Sequence, residues 1–462
     1  MGAARLDARP AESLSPMGDD DLSGSAPGRP GMTAKRQTSK RAAWGLADQA
    51  FSSITNFALA SIVARTVTAV EFGAFSLVFS VYLLVLGVIR AFGTLPLLVR
   101  YSAAEHEDWS YGAKRATGWA IVGGGVAAAV CAVLSLVFRS AAGPLLALGV
   151  SLPGLMLQET WRLAFVARGK PAAALVNDIV WALVLAPALW LAVQADASSA
   201  TAFILAWGLS GTVAGLFGML QAGFLPHPQG VVHWTRTHWD ISSRQLGEFA
   251  TLSGSLQFVT YAAVWFGGLV AAGALRAGQV LLGPLRTAYQ GVWFIALSEF
   301  VRILKRRPGS LWRAALGVSL ILGMGGLAYG ALFIVFGNEI GPVLLGDTWK
   351  YARPLMLPLT INVATSGFWM GPNVGLRALQ EPSRSLRVRL AIGMITVVGG
   401  LVGVVVYGAS GAAWGLAVSG VVGVGLWWWQ FGVALRHHVD TSEPHDPDVD
   451  DVMEARAEDV SA

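Results

Sequence analysis

Runs of 18 or more apolar residues recur about twelve times along this chain, and each is long enough to cross roughly 30 Å of hydrocarbon as an α-helix. No other property restricts the fold as sharply. In hydrocarbon no water pairs with backbone N–H and C=O groups, so only helices and closed barrels can span, and runs of this length are helices. The composition agrees: 54% of the 462 residues are hydrophobic and 13% are charged, against about a quarter charged in soluble proteins. The mean hydropathy is +0.56. The chain reads as an all-α multi-pass membrane protein with about 12 transmembrane helices, whose main partner is the lipid bilayer.

The runs predict helices over 42–64, 72–95, 116–138, 143–166, 172–193, 200–222, 248–272, 274–300, 312–336, 352–376, 387–408 and 410–434. They divide the chain into a disordered cytoplasmic tail (1–41), an N-terminal six-helix lobe (42–222), a cytoplasmic inter-lobe linker (223–247), a C-terminal six-helix lobe (248–434) and an acidic disordered tail (435–462). Both tails carry too little apolar surface to order themselves. The first lacks a continuous apolar core, so it is not a signal peptide.

Lys and Arg set the orientation. With a cytoplasmic N-terminus, the inner side receives nearly all of them, including Arg100, Lys114, Arg115, Arg168, Lys170, "VRILKRRP" at 301–308, Arg377, Arg384, Arg387 and Arg389. The opposite side receives Arg65, Arg139, Arg276, Lys350 and Arg353, an inner excess of about fourfold. Both termini are therefore expected in the cytoplasm, and the protein in the cell's inner (plasma) membrane. The net charge of +5 is this topology signal and gives no reason to expect nucleic acid as a partner. Trp44, Trp109 and the Trp427–Trp429 cluster fall at predicted helix ends, where amphipathic rings collect.

Other chemistries find little support. The single Cys131, mid-span, reads as a small apolar filler and allows neither an internal disulfide nor a cysteine metal site. The histidines lack metal-ligand spacing. No G-x-x-x-x-G-K-[ST] loop is present to hold nucleotide phosphates. No cofactor is expected, and no enzyme activity.

Two features recur at an offset of about two hundred residues. "EFGAFSLVFS" at 71 and "AAGALRAGQV" at 271 each enter a helix through Gly-Ala, and "FVARGKPAAALV" at 165 resembles "VGLRALQEPSRSLRV" at 374. The pattern fits two six-helix halves in the same orientation. Between them, "VVHWTRTHWDISSRQLGEF" reads either as a helix lying on the cytoplasmic face or as a plain linker.

A few polar residues remain inside the spans. Arg286 lies near the bilayer midplane, where a cation costs at least about 2.5–3.5 kcal/mol, so it must face protein, water or ligand. Gln279, Gly283, Arg286, Gln290 and Trp293 follow steps of three and four, a polar stripe on one helical face. The first helix carries Asp48, Ser52, Thr55 and Asn56, and the seventh Ser253, Gln257 and Thr260; these stripes predict the walls of one hydrated cleft. Arg286, Gln279, Gln290, Gln257 and Arg90 are the candidate head-group residues. An ion pair with a neighbouring acid is the competing reading for Arg286, and snorkelling to the inner interface that for Arg90. Asp48, Asn177 and Asp178 are candidates for coupling to an ion, with a first-turn helix acid the competing reading for Asp48. Glu159 and Arg162, three apart, read as an intramembrane pair. Acids in the first half and the deep Arg286 in the second suggest an anionic cargo with a separate proton or cation site.

The segments "WGLADQAFSSITNFALASIVARTVTAVEFGAFSLVFSVYLL" (44–84), "GALRAGQVLLGPLRTAYQGVWFIALSEF" (273–300) and "LLGDTWKYARPLMLPLTI" (344–361) resemble polysaccharide-export flippases of the Wzx type, in the multidrug/oligosaccharidyl-lipid/polysaccharide (MOP) exporter superfamily. The resemblance spans nearly all of 42–435. It implies two six-helix lobes in a V, as in MATE transporters. Alternating access would move a lipid-linked oligosaccharide from the cytoplasmic to the outer leaflet, in functional linkage with glycosyltransferases and a polymerase. It further implies a cationic cavity for the cargo's pyrophosphate or acidic sugars, a place that Arg286 suits. In the drug-exporting branch, acids on the first and fifth helices bind the coupling proton or sodium; Asp48, Asn177 and Asp178 fall on those helices. The alternatives are a cation-coupled multidrug exporter of the same fold and a membrane-embedded glycan polymerase or glycosyltransferase. The short outer loops, with Glu339 and Asp347 as their acids in the longest, speak against the enzyme.

Overall fold

The computed structural model describes residues 50–102, 105–194 and 199–442. Asp48, Trp44 and both predicted tails lie outside the described residues. Among those described there is no strand, and eight helices are long and apolar enough to cross a membrane. Two of the eight turn back on themselves, at Gly268 and at Gly408, and two further passes, 50–66 and 356–378, bring the number to twelve. We label the passes α1 (50–66), α2 (Ala69–Tyr101), α3 (His106–Val137), α4 (Ala142–Ala167), α5 (Pro171–Gln194) and α6 (Ala200–Ala222). The second lobe holds α7 (255–267), α8 (269–306), α9 (Leu311–Val335), α10 (356–378), α11 (382–406) and α12 (409–442).

Capping shows how the sequence sets these limits. Thr68 Oγ1 accepts from Glu71 N at the start of α2, and Ser199 Oγ accepts from Ala202 N at the start of α6. Glu71 also accepts from Ala200 N, 2.7 Å away, so an acid of α2 closes the first turn of α6. The turn between α4 and α5 recurs between α10 and α11. Gly169 and Gln380 both have positive φ (73° and 59°), Lys170 N donates to Phe165 O and Glu381 N to Leu376 O, and proline opens the following helix in both. The repeat expected from these two stretches is thus a repeat of hydrogen bonds. Gln380 adopts a backbone conformation usually left to glycine, because the same turn must be made there.

The largest departure from the sequence expectation is the turn between α7 and α8. It lies at Gly268, with φ 75° and ψ 178°, and not near residue 273. Hydropathy alone runs on through both helices, so it carries no marker for the turn; a glycine that can adopt positive φ supplies it. Consequently α8 starts earlier and Arg276 lies two turns inside it, not on the opposite surface with Arg65 and Arg139. The linker is helical: Val231–Thr237 and Trp239–Phe249 run into a π turn, Ala250–Gly254, that continues as α7. This strap is tied to the first lobe by Trp234 Nε1, which donates to Phe92 O, and by Trp119 Nε1, which donates to Thr235 Oγ1. Trp109 and Trp427 are almost fully buried against protein, and Trp109 lies in the first turn of α3. Trp109 Nε1 donates to Ala164 O, a carbonyl of α4 that accepts it inside the lobe.

The lobes meet on the face away from the basic loops. Thr348 Oγ1, in the connection before α10, donates to Ala64 O of α1 at 2.9 Å. There α2 and α8 cross with Gly73 against Leu269 and Gly273, where any Cβ on Gly73 would collide with the Leu269 backbone. Small residues permit such close backbone approach between membrane helices.

Candidate functional site

Below that crossing, a cavity of about 400 Å³ opens between the lobes. Its main wall is one face of α8, where Arg276, Gln279, Gly283, Arg286 and Gln290 follow steps of three and four. Between the two arginines α8 is broken at Leu282, and Pro284 starts the lower segment. The opposite walls come from α1 (Ser52, Ser53, Asn56), α2 (Phe79, Ser80) and α7 (Gln257, Thr260). Ser53 Oγ and Thr287 Oγ1, 2.7 Å apart, join α1 to α8 across it.

Among the described residues the cavity's charge is one-sided. Arg276 stacks its guanidinium over the Phe79 ring, 4.2 Å from the centroid, and its buried Nε has no hydrogen-bond partner. Arg286 donates to Asn362 Oδ1 at 3.4 Å, and Asn362 Nδ2 in turn donates to Leu416 O. Among the described residues neither arginine forms a salt bridge, and no carboxylate lines the cavity. Two guanidinium groups sharing a partly desolvated space, with no counter-charge among the described residues, favour an anion strongly, above all a phosphate that accepts two parallel N–H bonds.

Of the candidate head-group residues, Arg286, Gln279, Gln290 and Gln257 line this one cavity. Arg90 does not. It starts the π turn Arg90–Thr94 in α2 and donates through Nε to Glu159 Oε1 at 3.0 Å, within the first lobe. Glu159 also binds Arg162, through Arg162 Nε (3.2 Å) and Nη2 (3.1 Å), so the expected pair is a triad. From the polar stripes, Ser52, Asn56, Gln257 and Thr260 reach the cavity wall, whereas Thr55 and Ser253 do not. Arg276 joins the lining, although the sequence reading puts it on the outer surface by setting the α7–α8 turn five residues later. The signal available was the spacing itself: Arg276 extends the Gln279–Gln290 stripe by one further step.

Asn177 and Asp178 sit in a separate polar network. Gln158 Nε2 donates to Asp178 Oδ1 (2.9 Å) and Asn177 Oδ1 (3.2 Å), and Asn177 Nδ2 donates to Ala214 O and Gln221 Oε1. Asp178 also borders a crevice of about 20 Å³ against α1, with room for about one water. The structure thus brings Asn177 and Asp178 together but keeps them out of the arginine cavity.

No protein-family profile matches the chain, and no curated protein does. Solved structures do. An inward-facing multidrug resistance MATE family transporter of the MOP superfamily superposes with a TM-score of 0.66 at 16% identity, over 87% of this chain and 99% of that one. The lipid II flippase MurJ, in an inward closed conformation, gives 0.57 at 11% identity, over 88% of this chain and 90% of that one. A MOP superfamily transporter from Pyrococcus furiosus Vc1 (DSM3638), described by the reverse polarity of its binding pocket, gives 0.53 at 13% identity, over 87% and 96%. At these identities the likeness is one of fold. The chain is a multi-pass, all-α membrane protein of two six-helix lobes. Its architecture is that of MOP-superfamily transporters, drug exporters and a flippase among them.

Proposed function

We infer that this protein is a flippase for a lipid-linked oligosaccharide, carried on polyprenyl pyrophosphate, that moves its cargo from the cytoplasmic to the outer leaflet of the plasma membrane during surface polysaccharide biosynthesis. The observation that carries the reading is the shared cavity of Arg276 and Arg286, lined by no acid among the described residues. A pyrophosphate cannot cross hydrocarbon bare, because an unpaired charge at the bilayer centre costs several kcal/mol at least. Two guanidinium groups and the glutamines of α8 replace part of its lost hydration, while the polyprenyl tail stays in lipid between the lobes. Opening of the Gly73–Gly273 crossing, with closure on the basic-loop side, would then present the head group to the other leaflet. Glycosyltransferases would supply the cargo and a polymerase would consume it; the step itself breaks no covalent bond.

A cation-coupled multidrug exporter is the second reading, favoured by the buried Asp178 beside α1. The two separate in a strain lacking the gene and restored with wild type, Arg286→Ala or Asp178→Asn. Mass spectrometry then quantifies polyprenyl-linked oligosaccharide in the membrane and mature glycan at the surface. The flippase reading expects accumulated precursor and depleted surface glycan, rescued by wild type but poorly by a stably expressed Arg286→Ala. Unchanged pools in the deletion strain, with drug sensitivity that Asp178→Asn fails to rescue, would replace it with the exporter.

A further inference from the structure

A second cavity, of about 780 Å³, lies within the C-terminal lobe among α7, α8, α10, α11 and α12. It joins the first along Leu256, Arg286 and Gln290, which line both. Its walls combine aromatic rings with amides and hydroxyls. Trp293 Nε1 donates to Asn373 Oδ1 at 3.1 Å, which fixes that indole, and the Arg377 guanidinium lies over its ring, 5.3 Å from the centroid. Trp369 and Trp427 stack on each other, their centroids 5.7 Å apart. Asn362, Ser366, Thr396 and Ser419 add polar groups, and Arg389, held by Glu248, stands at the far end. Among the described residues no carboxylate lines the space.

Resting on the flippase reading, we propose that this cavity receives the first sugars of the cargo while Arg276 and Arg286 hold its phosphates. A pyranose presents apolar C–H faces and a rim of hydroxyls, and a wall of oriented indoles with side-chain amides between them complements both. The side-chain donors bond within the wall, Ser366 to Asn362 O and Thr396 to Ser419 Oγ, and a polyprenyl chain would strip water from the acceptor lone pairs that remain without replacing it. A cationic drug would meet two arginines and, among the described residues, no acid. Reach fits as well: Trp293 is seven residues beyond Arg286 on α8, so the space continues about 10 Å past the phosphate contact. The volume lies within the range of small-molecule pockets, roughly 300–1,000 Å³.

The test compares two lipids on the purified full chain in nanodiscs, polyprenyl diphosphate and the same lipid carrying a neutral disaccharide, with binding read by microscale thermophoresis. The disaccharide is expected to tighten binding about tenfold or more. Trp293→Leu should abolish that gain and leave bare diphosphate binding unchanged, whereas Arg286→Ala should weaken both lipids alike. Phe294→Ala, which removes an exposed ring of the same cavity without touching the core, should reduce the gain if Trp293→Leu does not fold. Equal binding of the two lipids to wild type, or equal weakening of both by Trp293→Leu, overturns the proposal and leaves the flippase reading standing. If wild type binds neither lipid, both fall. Binding of tetraphenylphosphonium that is lost in Trp293→Leu would instead assign the cavity to cationic cargo.

Discussion

Gly73 and Gly273 lie back to back where α2 crosses α8: a Cβ on Gly273 would stand 3.0 Å from Gly73 N. Each comes from the Gly-Ala entry of its own half, so the two halves of the repeat close the molecule by packing equivalent positions on each other. A side chain cannot be added there without separating the helices, and overpacking of this kind costs typically about 1–3 kcal/mol. Gly73→Leu is therefore expected to shift the protein toward the form open on this face. In that background a cysteine at Leu269 should react several-fold faster with a membrane-impermeant maleimide than in the parent, with Cys131 silent because it is fully buried. Unchanged labelling would mean that the crossing does not gate the cavity.

Arg276 and Arg286 approach one cavity from either side of the break at Leu282. A hydrogen bond to a charged group contributes about 1.5–3 kcal/mol. Arg276→Gln and Arg286→Gln should each lower export of lipid-linked glycan by roughly one to two orders of magnitude, and the double variant by less than the product of the two, since one phosphate group is shared. Arg276→Gln at wild-type activity would remove Arg276 from the site.

Glu159 holds Arg90 and Arg162 together inside the first lobe, with its own side chain 7% exposed and that of Arg162 12%. Removing the acid takes the counter-charge from the buried Arg162. Glu159→Ala should cost about 3 kcal/mol, the lower end for a broken buried pair, and lower the unfolding midpoint in detergent by several degrees. Arg90→Ala should cost under about 1 kcal/mol, because that arginine is 39% exposed and its pairing is weakened by water. An equal loss for both variants would contradict this ranking.

His238 gives the strap a pH dependence. Its Nδ1 faces Trp234 O at 2.9 Å and so carries the proton, while the buried Nε2 has no partner. Burial pushes its pKa below the ordinary 6.5, with Arg100 and His233 adding to this and the Trp234 carbonyl and Asp240 opposing. A depressed histidine stabilises the docked strap above its ordinary pKa, and that contribution falls away as pH drops below 6.5 toward the folded value. Amide exchange over 231–249, corrected for intrinsic rates, should therefore speed up between pH 7.5 and 5.5, and His238→Gln should flatten the profile. Exchange that is independent of pH in the parent would discard this role.

The sequence expectations succeeded and failed for identifiable reasons. Arg286, Gln279, Gln290 and Gln257 were legible as cavity residues because a polar group at mid-span has nowhere to go but inward, and helical spacing says which neighbours share its face. Arg90 was misplaced because a lone residue on another helix carries no record of which neighbour it meets; its partner Glu159 lies on α4 and comes near only through packing.

Apolar run length, the Lys and Arg bias and the recurring Arg-turn-Pro pattern already dictated a helical membrane protein of about twelve passes in two halves, because each records a local demand of lipid on a single segment. Tertiary structure alone decided where α7 ends and α8 begins. Hydropathy is continuous across Gly268, and the turn is placed by the contact of Gly73 with Leu269 and Gly273, residues remote in sequence. That placement moves Arg276 from the surface into the cavity and makes two cations out of one.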